Sequence, residues 1–259
     1  MPTLIHLSDL HFGPGYQSRV GRVILREIET LRPDAVVISG DFTMRARHAE
    51  YQSAREYLNR LACPVLVIPG NHDQPLLPIQ ERLLTPYARY KTYISAKTET
   101  TLAAGGLFIA GLNDNHPVLP GGFWFGGQRA WLVEQCASAP RGAIKIVATH
   151  HQLFWEGKLR PAGFWSPTRT LHWLACNGVE MVLNGHTHVP VAVQTPEGIV
   201  VARAGTATSS RTRHGHSNAY NLIMLDEKQI SVFVRFYDPH TDAFVAAQAY
   251  TFPRRLRPV

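Results

Sequence analysis

The sequence predicts an α/β fold in which alternating strands and helices are followed by a second, meandering sheet. Two observations lead to this prediction. In the first two-thirds of the chain, short apolar runs alternate with stretches of helical periodicity, a pattern typical of strand–helix–strand units. After residue 190, short strands of alternating polarity follow one another directly. We expect the second sheet to pack on the first, so that residues 1–259 form a single domain.

The individual elements follow from local patterns. In 18–31, Val20, Ile24 and Ile28 recur on one helical face. The segment 34–39 ("DAVVIS") is instead a continuous apolar run of the kind that is buried in parallel sheets. By these criteria, strands are predicted at 3–7, 34–39, 64–69, 107–112, 143–149 and 179–184, and helices at 18–31, 49–61, 128–138 and 168–177. Four later strands are predicted at 199–204, 220–226, 229–236 and 244–252.

The composition is that of an ordinary soluble protein. Of the 259 residues, 45% are hydrophobic and 17% are charged, which excludes a disordered chain. His6 and Asp9 interrupt the apolar N-terminal segment, and no later run approaches the ~18 residues of a membrane span. Cys63, Cys136 and Cys176 lie far apart without a C-x-x-C motif, which favours free thiols in a reducing compartment. We therefore expect a cytoplasmic protein.

The formal net charge of +7 favours anionic partners in general. The excess lies in short clusters at 44–47, 210–216 and 254–257, none of which is as long as a nucleic-acid-binding basic block. The charge allows a nucleic-acid partner, but no motif supports one.

Polar side chains follow the ends of five predicted strands. They are Asp9, His11, Asp41, Asn71, His150, His186 and His188. In an open α/β sheet, the loops beyond the carboxyl ends of the strands surround one crevice, where ligands bind. Packing alone does not account for five strands that bring carboxylates, an amide and imidazoles to one edge. Glycines at 40, 70 and 185 fit sharp turns next to these side chains.

The chemistry of these side chains points to metal ions. Taken alone, the histidine pair in "NGHTH" (184–188) allows three interpretations: a pH-sensitive surface, a polar turn or half of a metal site. The complete set offers oxygen and nitrogen donors without cysteine, which suits Mn, Fe or Zn. Seven donors are too many for one ion and suit two ions that share a bridging carboxylate, for which we choose Asp41. Such pairs of ions clamp the attacking and leaving oxygens of a phosphoryl displacement.

Five short motifs occur in the order "SDLH" (8–11), "GD" (40–41), "GNHD" (70–73), "THH" (149–151) and "NGHTH" (184–188). In this order and spacing they resemble the signature of the calcineurin-like metallophosphoesterase superfamily, over about residues 5–190. The resemblance implies a four-layer αββα sandwich of two mixed sheets flanked by helices. It also implies a dinuclear centre of Mn, Fe or Zn ions, with Mn and Fe favoured, at which a metal-bridging hydroxide attacks the phosphoester.

The resemblance also distributes the seven donors between the two ions. The first ion is held by Asp9, His11 and His188, the second by Asn71, His150 and His186, and Asp41 bridges them. The two histidines of "NGHTH" would therefore bind different ions. The residues of "THH" do not by themselves separate His150 from His151, but the superfamily places the ligand first and leaves His151 a supporting role.

The segments "GDFTMRARHAEY" (40–51) and "PVLVIPGNHD" (64–73) resemble the class III cyclic-nucleotide phosphodiesterase branch. We therefore expect a phosphodiesterase that acts on cyclic nucleotides or a related small phosphodiester. Ser/Thr protein phosphatases carry "GDYVDRG" and "GNHE", and this chain departs from that pattern at Met44, Ala46 and Asp73. Arg45 keeps the arginine of the pattern and is a candidate for binding a phosphate oxygen.

His72 and Asp73 are the expected catalytic residues. We expect His72 to stabilise phosphoryl oxygens or to protonate the leaving alkoxide, with Asp73 accepting from the other nitrogen of its ring. Asn71 and His72 are also expected to bind the substrate. In the loop 111–127, His116 is a further candidate for that role.

Three segments leave two interpretations open. Asn113, in the loop 111–127, is a candidate for contact with the substrate, and a structural role is the alternative. The loop 204–216 either faces the phosphate or is ordinary surface. Trp124, Phe125, Trp155 and Trp165 form either an aromatic wall for a base or lipid or, more in keeping with long loops, a satellite hydrophobic cluster.

Other functions on the same scaffold remain alternatives. A lipid or nucleotide pyrophosphate hydrolase is one, with 153–166 as an apolar entrance, and a DNA nuclease is another. A non-catalytic scaffold would be expected to lack some ligand motifs, yet all are present, and a pH sensor or metal store leaves Asn71, His72 and Asp73 unexplained. The oligomeric state stays open, with a dimer as one option.

Overall fold

The computed structural model describes residues 1–153 and 166–255 and contains two mixed sheets of six strands each. The strands are β1 (Thr3–Leu7), β2 (Ala35–Ser39), β3 (Val65–Ile68), β4 (Thr100–Ala104), β5 (Leu107–Gly111), β6 (Ile144–Ala148), β7 (Met181–Asn184), β8 (Val191–Gln194), β9 (Val200–Arg203), β10 (Ala219–Leu225), β11 (Gln229–Asp238) and β12 (Ala243–Pro253). The helices are α1 (Ser18–Leu31), α2 (His48–Leu58), α3 (Ile79–Leu84), α4 (Ala88–Tyr93), α5 (Gly126–Ser138) and α6 (Pro167–Cys176).

Three apolar layers separate these elements. One lies between the first sheet and α1, α2 and α4, a second lies between the two sheets, and a third lies between the second sheet and α5 and α6. Strand β2 shows how the sequence produces this arrangement, because its side chains alternate between faces. Val36 and Ile38 pack against the helices, whereas Ala35 and Val37 pack against the other sheet. The predicted four-layer αββα sandwich is confirmed.

The first sheet has the order β12–β11–β10–β1–β2–β3, and the second has the order β4–β5–β6–β7–β9–β8. Within them, β1, β2 and β3 run parallel, as do β5, β6 and β7. Parallel neighbours require crossover connections, which α1, α2, α5 and α6 provide. The carboxyl ends of each parallel set therefore lie on one edge of its sheet.

The strands after residue 190 do not form the second sheet by themselves, so this part of the prediction is wrong. β8 and β9 join the second sheet, whereas β10, β11 and β12 extend the first sheet from the edge of β1. The pairing of β10 with β1 satisfies the backbone groups that β2 leaves unpaired on the opposite side of β1. The second sheet is built around β5, β6 and β7, which the sequence pattern placed with the first.

No helix within residues 1–153 and 166–255 is long and apolar enough to cross a membrane. Trp155, Trp165 and most of the predicted apolar entrance at 153–166 lie outside the described residues. Trp124 is buried in the apolar layer between the second sheet and α5 and α6, where it contacts Trp173, whereas Phe125 is exposed, so these two residues do not form the expected satellite cluster.

His6 is a completely buried histidine between the two sheets. Its Nε2 lies 2.9 Å from Ser39 Oγ, and its Nδ1 lies 3.3 Å from Asn221 Nδ2. Because an amide nitrogen only donates, Nδ1 accepts and Nε2 carries the proton of a neutral ring. Burial lowers the pKa of His6 to about 3, against the opposing charge of Asp9.

We expect His6 to make the fold sensitive to acid. The folded state favours the neutral ring, so its contribution to stability is complete above the ordinary pKa of 6.5 and declines as the pH falls from there towards about 3. Between about pH 8 and pH 5 the loss is about 2 kcal/mol of unfolding free energy. Urea unfolding of the wild type and His6→Gln over this range measures it. A difference between the two proteins that does not vary with pH would contradict the prediction.

Candidate metal centre

The loops that follow β1, β2, β3, β6 and β7 meet at one edge, where the two sheets approach each other closely. Gly40 follows β2 with φ +97°, and a Cβ atom there would lie 2.6 Å from His150 Nδ1, which belongs to the other sheet. A Cβ atom on Gly185 would lie 2.6 Å from Asp9 Oδ2, and one on Gly70 would overlap Asp41. Gly40 therefore meets a conformational need, whereas Gly70 and Gly185 are required by close approach.

The backbone at this edge is strained. Five of the predicted ligand residues have left-handed φ angles between 51° and 70°, namely Asp9, His11, Asp41, His186 and His188. Side chains other than glycine rarely adopt this conformation, and such residues cluster at functional sites. The turns hold these side chains over the sheet edge rather than letting them follow the strand direction.

The first donor cluster consists of Asp9, His11 and His188, all buried. His188 Nε2 lies 3.1 Å from both Asp9 Oδ1 and His11 Nε2, and His11 Nε2 lies 3.6 Å from Asp9 Oδ1. Asp9 Oδ1 is buried and has no hydrogen-bond partner among residues 1–153 and 166–255. The other oxygen of Asp9 accepts from the backbone N–H of His186 at 3.0 Å.

Backbone carbonyls fix the protons of these two imidazoles. His11 Nδ1 donates to the carbonyl of Thr43 at 3.3 Å, and His188 Nδ1 donates to that of Arg211 at 2.6 Å. In each neutral ring, Nε2 then carries a lone pair and no proton. With both rings neutral, two such lone pairs and a carboxylate oxygen converge on one point, an arrangement that a bound cation stabilises.

The second donor cluster consists of Asn71, His150 and His186. Asn71 Oδ1 lies 3.0 Å from both His150 Nε2 and His186 Nδ1, and the two ring nitrogens are 3.3 Å apart. His150 Nδ1 donates to the carbonyl of Ser39 at 2.8 Å, so its Nε2 also points a lone pair into the cluster when the ring is neutral.

Asp41 lies between the two clusters. Its Oδ2 is 3.7 Å from His11 Nε2 and 3.5 Å from His150 Nε2, and its Oδ1 accepts from the backbone N–H of His72 at 2.8 Å. The structure therefore brings together all seven predicted ligands, and donor atoms of Asp9, Asp41 and His150 also lie within 4.8 Å of one another, so the two clusters adjoin. Their binding of metal stays a prediction, and the donor set fits two ions with Asp41 shared.

The electrostatics of the chain without metal agree with this fit. Burial opposes ionisation of Asp41, but the neighbouring histidines outweigh it and hold its pKa well below the ordinary value. Burial alone would lower the pKa of His150, whereas the Asp41 carboxylate raises it to about 10. This raised pKa favours a proton on His150 beside Asp41, and binding of a metal ion to Nε2 would require its release.

His72 lies beside the clusters, half-buried, with its ring centre 4.9 Å from that of His11. Its Nδ1 donates to the carbonyl of Met44 at 2.9 Å, which leaves Nε2 as the second nitrogen. Burial lowers the pKa of His72, and the charges of His11 and Arg211 act in the same direction against Asp41. The ring donates from Nε2 only when it is doubly protonated, a form that an anionic substrate favours.

The predicted hydrogen bond from the ring of His72 to Asp73 is wrong. His72 Nδ1 donates instead to the carbonyl of Met44. The buried Asp73 carboxylate instead accepts from the backbone N–H groups of Phe42, Thr43 and Gly70 at 2.9–3.1 Å. It ties the turn after β2 to the turn after β3, the two turns that present Asp41 and Asn71.

The other predicted substrate contacts stay predictions. Arg45 is exposed on the turn before α2. His116 lines a cavity together with Asn71 and His186, and its Nδ1 accepts from the backbone N–H of Val118 at 3.1 Å. Asn113 points inward, where its Oδ1 accepts from Asn115 Nδ2 at 2.8 Å.

Two contributors to the site were not predicted. Asp114 is buried and accepts from the backbone N–H groups of His150 and His151, which fixes the turn after β6. Arg211 accepts from His188 through its carbonyl and places its guanidinium 3.5 Å from Met44 Sδ. The sequence held only a weak signal for Arg211, its position in the basic loop 204–216, and that loop does line the cleft.

The fold and the donor clusters at its shared sheet edge are those expected of the metallophosphoesterase class. The model of the family described as calcineurin-like phosphoesterase matches residues 2–190, and the chain belongs to this family.

Two relatives are similar to parts of this chain, and a solved structure has the same fold. A glycerophosphodiester phosphodiesterase, GpdQ, of Enterobacter lignolyticus (strain SCF1) is 41% identical over 80 residues, which are 27% of this chain and 29% of that protein. A probable cyclic nucleotide phosphodiesterase of Synechococcus sp. is 29% identical over 60% of this chain and 58% of its own length. The match thus spans less than two-thirds of either relative. A dimetal phosphatase from Danio rerio has the same fold, with a TM-score of 0.70, 13% identity and coverage of 98% of this chain and 99% of that one.

We expect Asp73→Ala to destabilise the fold strongly. The substitution leaves three backbone N–H groups without an acceptor, each at a cost of about 1–3 kcal/mol, so the free energy of unfolding should fall by about 3 kcal/mol or more. Asp226→Ala is the control, because Asp226 also accepts from two backbone N–H groups but in an exposed turn. Urea unfolding that shows equal losses for the two variants would contradict this role of Asp73.

Proposed function

We propose that this protein is a dinuclear metal-dependent phosphodiesterase that acts on small phosphodiesters. The observation that supports it most directly is the pair of donor clusters joined by Asp41, in which carbonyl-bound imidazoles direct lone pairs inward. Asp9, His11 and His188 would hold one ion, Asn71, His150 and His186 the other, and Asp41 both. When bound, such ions activate water as a nucleophile and neutralise phosphoryl oxygens.

The residues around the clusters suit a diester substrate. In hydrolysis, a water oxygen forms a bond to phosphorus, one ester P–O bond breaks, and the departing alkoxide takes up a proton. We assign that proton to His72, whose Nε2 becomes a donor once the ring is doubly protonated. The products are an alcohol and a phosphomonoester.

Arg211 completes the anion site in this proposal. It lines a cavity of 310 Å³ together with Asp41, His72, His186 and Arg213. A guanidinium can bind two phosphoryl oxygens at once. It would compensate negative charge of the phosphate that His72 alone does not neutralise.

The substrate class rests on the relatives. Their names specify a glycerophosphodiester in one case and, with less assurance, cyclic nucleotides in the other. We favour cyclic nucleotides or a related small phosphodiester, hydrolysed by a protein whose donor set suits Mn or Fe ions.

Metal analysis combined with hydrolysis of bis(p-nitrophenyl) phosphate tests the function. We expect two ions per chain after incubation with Mn²⁺ and faster turnover of this diester than of p-nitrophenyl phosphate. Asn71→Ala should lower diesterase activity by more than about 100-fold, since residues that only support metal ligands already cost 10–100-fold. Asn59→Ala, an exposed asparagine after α2, is the matched control. A folded wild type that binds no Mn²⁺ and hydrolyses neither ester would favour a non-catalytic scaffold instead.

Arg211→Ala separates substrate binding from metal binding. Because only the carbonyl of Arg211 supports His188, the variant should keep its metal content. Its kcat/KM for the diester should fall roughly 10- to 100-fold, the worth of a charge-assisted contact to phosphate. Loss of bound Mn²⁺ in this variant would show that the side chain acts on the metal centre and not on the substrate.

A further inference from the structure

Most of the exposed apolar side chains of this protein lie in two segments that Arg82 joins, and Val118 and Leu119 of the second segment line a cavity with His186. Among residues 1–153 and 166–255, eleven large hydrophobic side chains are exposed, and eight of them lie in the segments 76–84 and 118–125. These eight form what we name the apolar rim: Leu76, Leu77, Ile79, Leu83, Leu84, Val118, Leu119 and Phe125. Leu77 and Leu84 are 77% and 79% exposed. Single exposed apolar residues are ordinary, whereas a concentration at a cleft marks an interaction site.

Polar contacts, rather than apolar burial, hold the apolar rim in place. Helix α3 buries none of its side chains. Arg82 donates from Nε to the carbonyl of Pro117 at 2.6 Å and so joins the two segments. Arg89 pairs with Glu81 and donates to the carbonyl of Ala46 at 2.8 Å, which fixes α3 to the body of the protein. A helix of this length is unstable alone, so these contacts determine where its apolar side chains lie.

The apolar rim is continuous with the candidate metal centre. A cavity of 230 Å³ is lined by Asn71 and His186 from the second donor cluster and by Val118 and Leu119 from the rim. His186 also lines the 310 Å³ cavity that contains Arg211 and Arg213. The cleft thus has a basic side and an apolar side, and the candidate ligand His186 lines both.

We propose that the apolar rim holds the hydrocarbon chain of an amphiphilic phosphodiester, a lipid whose phosphate lies at the donor clusters and whose polar substituent lies towards Arg211. The proposal rests on the proposed phosphodiesterase function, and as the diester it names a lipid in place of the cyclic nucleotide that the relatives' names suggest. The reaction is unchanged: water attacks phosphorus, one ester bond breaks, and the departing alkoxide is protonated. A formal charge of +7 also favours association with an anionic lipid surface, where such substrates reside.

Two diesters that differ only in chain length test the proposal directly. These are p-nitrophenyl ethyl phosphate and p-nitrophenyl dodecyl phosphate, assayed with Mn²⁺ below the micelle concentration of the latter. We expect kcat/KM to be roughly tenfold or more higher for the dodecyl ester, because burial of several methylene groups on leucine side chains lowers KM. Equal values for the two esters, with the ethyl ester turned over normally, would overturn the role of the rim and leave the proposed function intact.

Variants then locate the effect. Leu77→Asp/Leu84→Asp should abolish the preference for the dodecyl ester and leave the ethyl ester unaffected. Val133→Asp/Val245→Asp adds the same two charges at exposed apolar positions outside the rim and should retain the preference. A rim variant that still prefers the dodecyl ester would contradict the proposal.

Binding without catalysis separates the rim from the proposed function. Co-sedimentation with vesicles of phosphatidylcholine and phosphatidylglycerol should retain the wild type and lose the rim variant. If neither ester is hydrolysed with Mn²⁺ bound, the proposed function fails whatever the vesicles show. If the wild type is a dimer in sedimentation velocity and the rim variant is a monomer, the rim is a self-association surface and the lipid proposal is wrong.

Discussion

The site depends on hydrogen bonds between backbone carbonyls and the Nδ1 atoms of three histidines. The carbonyls of Ser39, Thr43 and Arg211 hold His150, His11 and His188 in one tautomer each. When these rings are neutral, as metal binding requires, the lone pair on each Nε2 is thereby directed at the carboxylates and at the other rings. Since these carbonyls belong to the last residue of β2 and to two loops of the folded chain, the orientation of the donors is a property of the fold and exists before any ion arrives.

This preorganisation costs free energy, because it holds electron-rich groups close together in a buried space. Lone pairs and carboxylates are held together in a buried space, and several of the residues that carry them adopt left-handed backbone conformations. Asp73 and Asp114 offset part of the cost by accepting backbone N–H groups from the turns that carry Asp41, Asn71 and His150. Hydrogen bonds outside the donor clusters thus keep the ligand side chains in position.

Much of the fold and of the donor set could be predicted from the sequence, because both depend on local signals. Apolar runs such as 34–39 identify buried strands, and the polar residues after them identify the sheet edge. The division of the strands between the sheets was not predictable in this way, since β10 could pair with any open edge of suitable polarity. The contacts of Asp73 were also missed, because adjacency to His72 in sequence suggested adjacency of side chains. Its carboxylate instead accepts from the N–H groups of Gly70, three residues away, and of Phe42 and Thr43, about 30 residues away, and no local pattern predicts the two distant partners.

The two sheets contribute unequally to each donor cluster, and this has a consequence for the whole molecule. Asp9 and His11 come from the first sheet and His188 from the second, while Asn71 comes from the first and His150 and His186 come from the second. Every ion that occupies either cluster would therefore cross-link the two sheets of the sandwich. Heat resistance of the entire chain would then rise with ion concentration, because separation of the halves requires release of the ions. The ligand atoms proposed to take part in hydrolysis would thus also contribute to the stability of the fold.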